Sequence, residues 1–160
     1  MKYAVGYQLS EGDEYPFSEL VEQYSESISE VYFPWLDIPT GRSAIASRHG
    51  YTNWDAQSCL VADLKKIRSL GKRIDLLFNA NCYGRLAISE QLRNQVISVI
   101  EYINDTVGGT DIVTTTSPFI AETVKKVFPE TEVRASVNMW LGTVKSIPAS
   151  CAALISAIRS

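Results

Sequence analysis

Polar and aromatic side chains stand where five strand-like segments of this sequence end, and together they could form one ligand site. The segments are residues 3–9, 29–33, 73–79, 111–116 and 132–138. In a parallel α/β protein all strands end at the same edge, and the loops along that edge surround one crevice in which ligands bind. We therefore predict ligand contacts at these strand exits: Tyr7, Trp35, Asn79, Asn81, Thr115, Ser136 and Asn138.

The loop after the third segment carries the widest choice of chemical groups. Asn79 and Asn81 supply carboxamides, Cys82 supplies a thiol, and the glycine at 84 allows a ligand to approach the backbone. A nucleophilic Cys82 needs a base, and His49 is the single histidine of the sequence. Because one cysteine and one distant histidine are weak grounds for a catalytic pair, we expect Cys82 to be a small buried residue without a catalytic role.

Two further segments could bind an anion. Residues 114–117 place hydroxyl side chains at the start of a predicted helix, where free amides and the helix dipole favour negative charge. Threonine is also a common strand residue and Ser117 can simply cap the helix, so here we favour a structural role. The long segment 34–53 contains Arg42, whose guanidinium can bind a carboxylate or a phosphate, and here we favour a functional role.

Acid–base and metal chemistry have less support in the sequence. Asp37 is the one carboxylate near a strand exit, whereas Asp63, Glu101 and Glu122 fall within predicted helices. We expect those three side chains on the outer faces of the helices, so a glycosidase-type pair of carboxylates is not indicated. No metal site is expected, because the single histidine and the scattered cysteines form no ligand cluster.

The segments between the strands have helical spacing, and this alternation sets the fold class. Helices are predicted over residues 17–27, 54–70, 89–107 and 117–128. Strand–helix alternation predicts parallel strands joined by right-handed crossovers, and no GxGxxG motif follows the first strand to indicate dinucleotide binding. Five units in 160 residues give about 32 residues per unit, similar to the repeat of a (β/α)₈ barrel, which needs roughly 250 residues.

The predicted fold class is therefore α/β, a partial TIM-type (β/α) barrel of about five parallel βα units. Residues 1–145 are assigned to the barrel domain, and residues 146–160 to a tail or helix that is either native or foreign to the fold. Because five strands cannot close a barrel, we expect open edges at the first and fifth strands, and hence self-association. The inner face of the sheet is predicted to be lined by Val5, Val31, Leu77, Val113 and Val137.

The composition limits which binding partners and which cell compartment are expected. A net charge of −3 and a pI of about 5.2 argue against nonspecific nucleic-acid binding, which needs a basic surface. No apolar run reaches the roughly 18 residues that a membrane-spanning helix requires, so no membrane partner is expected. Cys59, Cys82 and Cys151 form no CxxC pair, which favours a reducing compartment and predicts a cytoplasmic location.

Two stretches of the chain resemble a known family. Residues 111–118 and 128–138 are similar to a strand–helix–strand segment of the collagenase-like peptidases, the U32 family, and residues 76–81 are similar to the third strand of that family. The resemblance covers residues 3–144. It departs from the family pattern after the first strand, where residues 8–12 replace a Pro-Ala-Gly turn.

The resemblance implies an N-terminal TIM-type barrel of a peptidase or a hydroxylation-type enzyme acting on a peptide, RNA or a small aromatic substrate. Some members hold an iron–sulfur cluster, but their cluster cysteines lie in a later region, so no cofactor is assigned to this chain. Asn79, Asn81, Ser136 and Asn138 are the positions that the resemblance marks as ligand contacts. The alternative is a degenerate barrel that binds a small ligand or a peptide without catalysis.

Overall fold

Parallel strands alternate with helices along the whole described part of the chain. The computed structural model describes residues 1–10, 14–42 and 53–139. The elements in chain order are β1 (Tyr3–Gly6), α1 (Phe17–Gln23), β2 (Ile28–Pro34), α2 (Trp54–Ser69), β3 (Arg73–Phe78), α3 (Glu90–Val107), β4 (Ile112–Thr115), α4 (Pro118–Val127) and β5 (Glu132–Ala135). Short 3₁₀ turns cover Gly84–Leu86 and Val137–Met139.

The five strands form one parallel sheet in the order β1-β2-β3-β4-β5. Sequential order with right-handed crossovers places every helix on the same face of the sheet, and consecutive helices do pack against each other. This is the arrangement of a barrel wall, and it differs from a doubly wound sheet, in which helices cover both faces. The predicted α/β class with a partial-barrel architecture is confirmed.

Local signals in the sequence set where the helices begin and end. Asn53 and Ser89 cap α2 and α3, since each side chain accepts a hydrogen bond from the amide three residues later. Ser117 followed by Pro118 starts α4. Gly108 ends α3 with a φ of 93°, in the left-handed region that favours glycine.

The helix-facing side of the sheet is apolar and closed. Phe33, Ile74, Leu76 and Phe78 have no exposed surface there, and they pack against the buried faces of the helices. The prediction for the inner face was wrong in part, because the pairing register places Val5, Val31 and Val113 on this helix-facing side instead. Val137 lies beyond β5 in the 3₁₀ turn and is 98% exposed.

The opposite, inner face of the sheet carries charged residues as well as apolar ones. Leu77 lies on this face as predicted, opposite Thr114 of the neighbouring strand. The other inner-face side chains follow from the alternation of side chains along each strand: Glu30, Tyr32, Arg73, Asp75, Thr114, Glu132 and Arg134.

Other predicted details need correction or fall outside the described residues. Asp63 of α2 is buried, whereas an outer-face position was predicted, because its carboxylate accepts hydrogen bonds from the Ser18 amide of α1 and from the Tyr7 hydroxyl. Cys82 is exposed, against the expectation that it is buried, and Cys59 is exposed as well. The tail at 146–160 and His49 lie outside the described residues. Among the helices that are described, none is long and apolar enough to cross a membrane.

Candidate ligand site at the carboxyl edge of the sheet

Three strand exits converge on one cleft at the carboxyl edge of the sheet. The exits of β3, β4 and β5 surround a cavity of about 870 Å³, a size typical of small-ligand sites. Its wall combines the amides of Asn81 and Asn138, the hydroxyls of Thr116 and Ser117, the side chain of Tyr83, and apolar surface from Phe119 and Ile88. We call this the rim cleft. Among the described residues that line it, none is charged at neutral pH.

Hydrogen bonds between the exit loops hold the rim cleft in shape. The Thr116 hydroxyl donates to the carbonyl of Ala80 at 2.5 Å, which joins the loops that follow β3 and β4. The Asn138 amide donates to the carbonyl of Asn79 at 3.5 Å, and the backbone amide of Asn138 donates to the Ser136 hydroxyl at 3.2 Å. Asn138 and the buried Ser136 therefore lie side by side at the rim, and Asn81 is exposed within the cleft. Their contacts with a ligand stay predictions.

Asn79 has a structural role at this edge. Its side-chain oxygen accepts hydrogen bonds from the Thr40 hydroxyl at 2.9 Å and from the Gly41 amide at 3.0 Å, which ties the loop after β2 to the end of β3. The contact leaves no room for a side chain at 41, because an added Cβ would lie 2.8 Å from the Asn79 carbonyl oxygen. Both hydrogen bonds occupy the side-chain oxygen of Asn79, so a ligand contact by this residue would have to use its NH2 group.

Arg42 lies near the first two strands, outside the rim cleft. Its guanidinium stacks over the ring of Tyr32, 4.8 Å from the ring centre, and covers Gly6 of the neighbouring strand. Gly6 permits this approach, because a Cβ there would lie 2.7 Å from the guanidinium nitrogens. Arg42 is exposed and no acidic partner for it is found among the described residues, so it remains a candidate for binding an anion.

Three of the predicted contact residues do not join this edge. Tyr7 is buried between α1 and α2, where its hydroxyl donates to Asp63 at 3.0 Å and burial raises its pKa above the usual value. Trp35 packs edge-on against Tyr102 of α3. Thr115 points toward the helices, and its oxygen accepts a hydrogen bond from the amide of Ser117. The expectation that all strand-exit side chains converge is wrong for these three.

Cys82 lies in the rim cleft, but its surroundings do not activate it. The thiol is exposed, and its sulfur accepts a hydrogen bond from the Gly84 amide at 3.2 Å. In the part of the cleft that the structure describes, no acidic or basic side chain lies around it. The absence of a catalytic role for Cys82 stays a prediction.

The inner face holds a second group of functional candidates that the sequence reasoning missed. Glu30 of β2 pairs with Arg134 of β5 at 2.7 Å, and Arg134 also pairs with Glu132 at 2.6 Å. Two strands separate β2 from β5 in the sheet, so in a flat sheet the backbones of β2 and β5 would lie about 14 Å apart. The sheet must therefore curve strongly around this ion pair, as the wall of a barrel does.

Asp75 lies beside this ion pair and is the most perturbed carboxyl of the inner face. It is 4% exposed; one oxygen accepts a hydrogen bond from Thr114 at 2.7 Å, and the other has no hydrogen-bond partner among the described residues. Burial raises the pKa of Asp75 to about 6, and nearby Glu30 adds to the rise while Thr114 and Arg134 oppose it. A buried carboxyl that titrates near neutrality is a frequent feature of functional sites.

A signal for these residues was present in the sequence. Strands of a parallel sheet usually read as almost continuous apolar runs. Glu30, Asp75 and Arg134 interrupt three such runs at positions of the same parity. They lie within strands, so a prediction based only on strand ends does not include them.

The comparisons with known proteins show the fold and nothing finer. No protein family and no curated protein matched this sequence. A solved structure, "The Structure of the U32 Peptidase Mk0906", matches with a TM-score of 0.60 and 14% identity. The chain has a distant U32-like fold. The match covers 98% of this chain and 56% of the length of the solved chain. At this identity the likeness shows the fold alone, which agrees with the architecture expected from the resemblance.

Proposed function

We propose that this chain forms the barrel part of a collagenase-like, U32-type protein and that its rim cleft binds a peptide. The observation that carries the proposal is the convergence of three strand exits on one cleft, in a fold shared with a U32 peptidase over 98% of the chain. Parallel α/β proteins place their ligands at this edge. A structure this distant supports the fold, so the peptide is inferred from the chemistry of the cleft.

The lining of the cleft favours a peptide over RNA. Amide and hydroxyl groups can both donate and accept hydrogen bonds, which matches the alternating N–H and C=O groups of a peptide backbone. Apolar surface from Phe119 and Ile88 can cover a side chain. RNA binding would need cationic side chains along the site, and the described lining contains none.

Peptide hydrolysis is the activity implied by the U32 resemblance, and binding without catalysis is the second candidate. One observation favours the second: in the described part of the cleft no acid or base accompanies Cys82 or the hydroxyl residues. Acyl transfer to water needs such a pair or a bound metal ion. We therefore place peptide binding first, with cleavage as the activity to be tested on the same samples.

The proposal can be tested with a pool of small gelatin-derived peptides. Binding is followed by ligand-observed NMR, and mass spectrometry of the same samples detects cleavage. Ala87 is exposed and lines the cleft, so Ala87→Trp should fill it and remove binding, with the fold intact by circular dichroism. Ala62→Trp, at an exposed site on α2, is the matched control and should bind like the native chain.

The outcomes separate the candidates. Binding with cleavage that Ala87→Trp abolishes supports a peptidase, and binding without cleavage supports the binding module. Equal binding by Ala87→Trp and the native chain would place the peptide elsewhere and overturn the cleft proposal.

We also infer self-association through the two outer strands of the sheet. In the described part of the chain, β1 and β5 each pair with one neighbour, which leaves unpaired backbone groups along their other sides. Analytical ultracentrifugation with hydrogen exchange tests this. A compact monomer with protected amides in β1 and β5 would refute it. The cytoplasmic location stays a prediction.

A further inference from the structure

The first quarter of the sequence has a one-sided charge. Between Tyr3 and Gly41 there are eight acidic residues and no lysine, arginine or histidine, whereas the rest of the chain has ten acidic residues and all 15 lysines and arginines. Three of the eight, Glu14, Glu19 and Glu22, line one groove beside α1. A surface region with this charge attracts cationic partners and repels anionic ones.

The groove also offers apolar surface. It is a cavity of about 670 Å³ along α1 and the segment that precedes this helix, and we call it the α1 groove. Leu9 and Phe17 line it and are partly buried against the core. Tyr15 is 83% exposed and Leu20 is 47% exposed in the same groove. Exposed apolar surface that is bordered by polar residues is typical of an interaction site.

Internal contacts hold this surface in shape. The Ser10 hydroxyl donates to the carbonyl of Tyr15 at 2.7 Å, which fixes the segment before α1. The ring of Phe17 packs edge-on against the buried ring of Tyr7, with 5.2 Å between the ring centres. A surface that is already ordered loses little conformational entropy when a partner binds.

The acidic residues of the groove stabilise a positive charge at its wall. Lys66 of α2 is the only cation among the described residues that line it, and its ammonium group pairs with Glu22 at 2.8 Å. The hydrogen bond from Lys66 to Glu22 raises the pKa of Lys66, and Glu19 adds to the rise. Glu19 is exposed and has no ion-pair partner among the described residues, so it can pair with a second cation.

We propose that the α1 groove is a docking surface for a basic peptide segment of another protein. An apolar side chain of this segment packs on Leu9, Phe17 and Leu20, and a neighbouring lysine or arginine pairs with Glu19. The α1 groove shares no residue with the rim cleft, so the inference does not rest on the proposed function.

The charge of the groove distinguishes this partner from other macromolecules. Nucleic acids and anionic lipid surfaces bind through basic patches, and the acidic residues of the α1 groove repel both. A basic peptide satisfies the unpaired Glu19 and covers the exposed apolar surface at the same time. Complementary charge also sets which partners are accepted and how fast they associate.

The test compares three labelled peptides by fluorescence anisotropy. Acetyl-Leu-Arg-Phe-Leu-Arg-amide combines apolar and cationic side chains. One analogue has glutamate in place of both arginines, and the other has serine in place of the three apolar residues. Both analogues should bind at least about tenfold more weakly than the first peptide. Raising the salt concentration from about 50 mM to about 300 mM should weaken the first peptide by about tenfold, because salt screens exposed charges.

Two variants with matched controls locate the binding surface. Glu19→Lys reverses the unpaired charge and should reduce affinity for the first peptide by at least about tenfold, whereas Glu101→Lys makes the same change at an exposed site on α3 and should have no effect. Tyr15→Ala removes an exposed ring and should reduce affinity about fivefold. Trp54→Ala removes an exposed ring outside the α1 groove and should bind like the native chain. Circular dichroism checks that each variant is folded.

The other outcomes overturn the inference in distinct ways. Equal binding of the glutamate analogue would refute the cationic partner. Native affinity in both Glu19→Lys and Tyr15→Ala would place the peptide elsewhere. Loss of binding in Ala87→Trp, which fills the rim cleft, would show that the basic peptide uses that cleft instead. Analytical ultracentrifugation of the chain alone completes the test, because a dimer that Glu19→Lys dissociates would show that a second copy occupies the α1 groove.

Discussion

The two faces of the sheet differ in what they contribute to the molecule. On the helix-facing side, Phe33 is fully buried in a continuous apolar core. On the inner side, its sequence neighbour Tyr32 is half-buried under the Arg42 guanidinium, and Glu30, Arg134 and Asp75 lie along the same face. Burying apolar surface stabilises a fold, whereas burying charge has a desolvation cost that pairing offsets only in part.

We relate the apolar, helix-facing side to stability and the charged inner face to function. The apolar face is what any barrel wall of this type requires. The inner face keeps a buried carboxyl and a long-range ion pair that a leucine-rich surface would replace without loss of stability. We infer that the helix-facing side carries most of the free energy of folding, and that the inner face retains its charges for geometry and chemistry.

Removing a large side chain from each face should give the largest contrast. Phe33→Ala empties a fully buried site and should lower the free energy of unfolding by about 3–5 kcal/mol. Tyr32→Ala, one residue earlier and half-buried, should lower it by roughly 1 kcal/mol, since its ring is partly exposed. Urea denaturation measures both changes. Equal losses of stability would show that the inner face is packed as firmly as the helix-facing side.

Neutralising Asp75 should change how stability depends on pH. The pKa of Asp75 in the folded chain is about 6, above the value of 3.8 expected when unfolded, so the folded state holds its proton longer. The free energy of unfolding should therefore fall as the pH rises from about 4 to about 6, by up to about 3 kcal/mol.

Asp75→Asn removes this ionisation and keeps an acceptor for the Thr114 hydroxyl. The variant should be more stable than the native chain at pH 7.5 and lose the decline between pH 4 and 6. The difference between the two proteins isolates Asp75, because the pKa of Glu132, which its hydrogen bonds from Arg134 and Arg73 hold low, contributes the opposite slope to both. Parallel profiles for the two proteins would contradict the assignment.

Breaking the ion pair across the sheet should have a moderate effect. Arg134→Met leaves the buried Glu30 carboxylate without its partner and should lower the free energy of unfolding by about 2 kcal/mol, less than for a fully buried pair because Arg134 is 36% exposed. Adding Glu30→Gln should restore part of the loss, which a double-mutant cycle measures. Additive effects would show that the pair does not join β2 to β5 energetically.

A small change at the rim should have the smallest effect. Gly41→Ala brings a Cβ to 2.8 Å from the Asn79 carbonyl oxygen and still closer to the side-chain amide nitrogen of Asn138. The loop after β2 must shift to avoid these contacts. This shift should lower the free energy of unfolding by about 1 kcal/mol and disturb peptide binding in the neighbouring rim cleft. Adding Asn138→Ala removes the closer contact and should recover part of the stability. A fully stable Gly41→Ala variant would show that the loop after β2 is free to move.

The sequence by itself determined the elements and their order. Asn53, Ser89 and the Ser117-Pro118 pair marked helix starts, and Gly108 marked a helix end, because caps and turns depend on residues within one helical turn. Regular alternation of strands and helices then implied parallel strands in sequence order, since right-handed crossovers allow few other arrangements.

Only the tertiary structure decided which face each strand residue occupies and which distant residues meet. Val5, Val31 and Val113 suited either face, and the pairing register and the helices assigned them to the core. Tyr7 meets Asp63 across 56 residues, and Glu30 meets Arg134 across 104. Such contacts depend on the curvature of the whole sheet. Residue type and local spacing do not encode it, because its physical origin lies in how all five strands pack together.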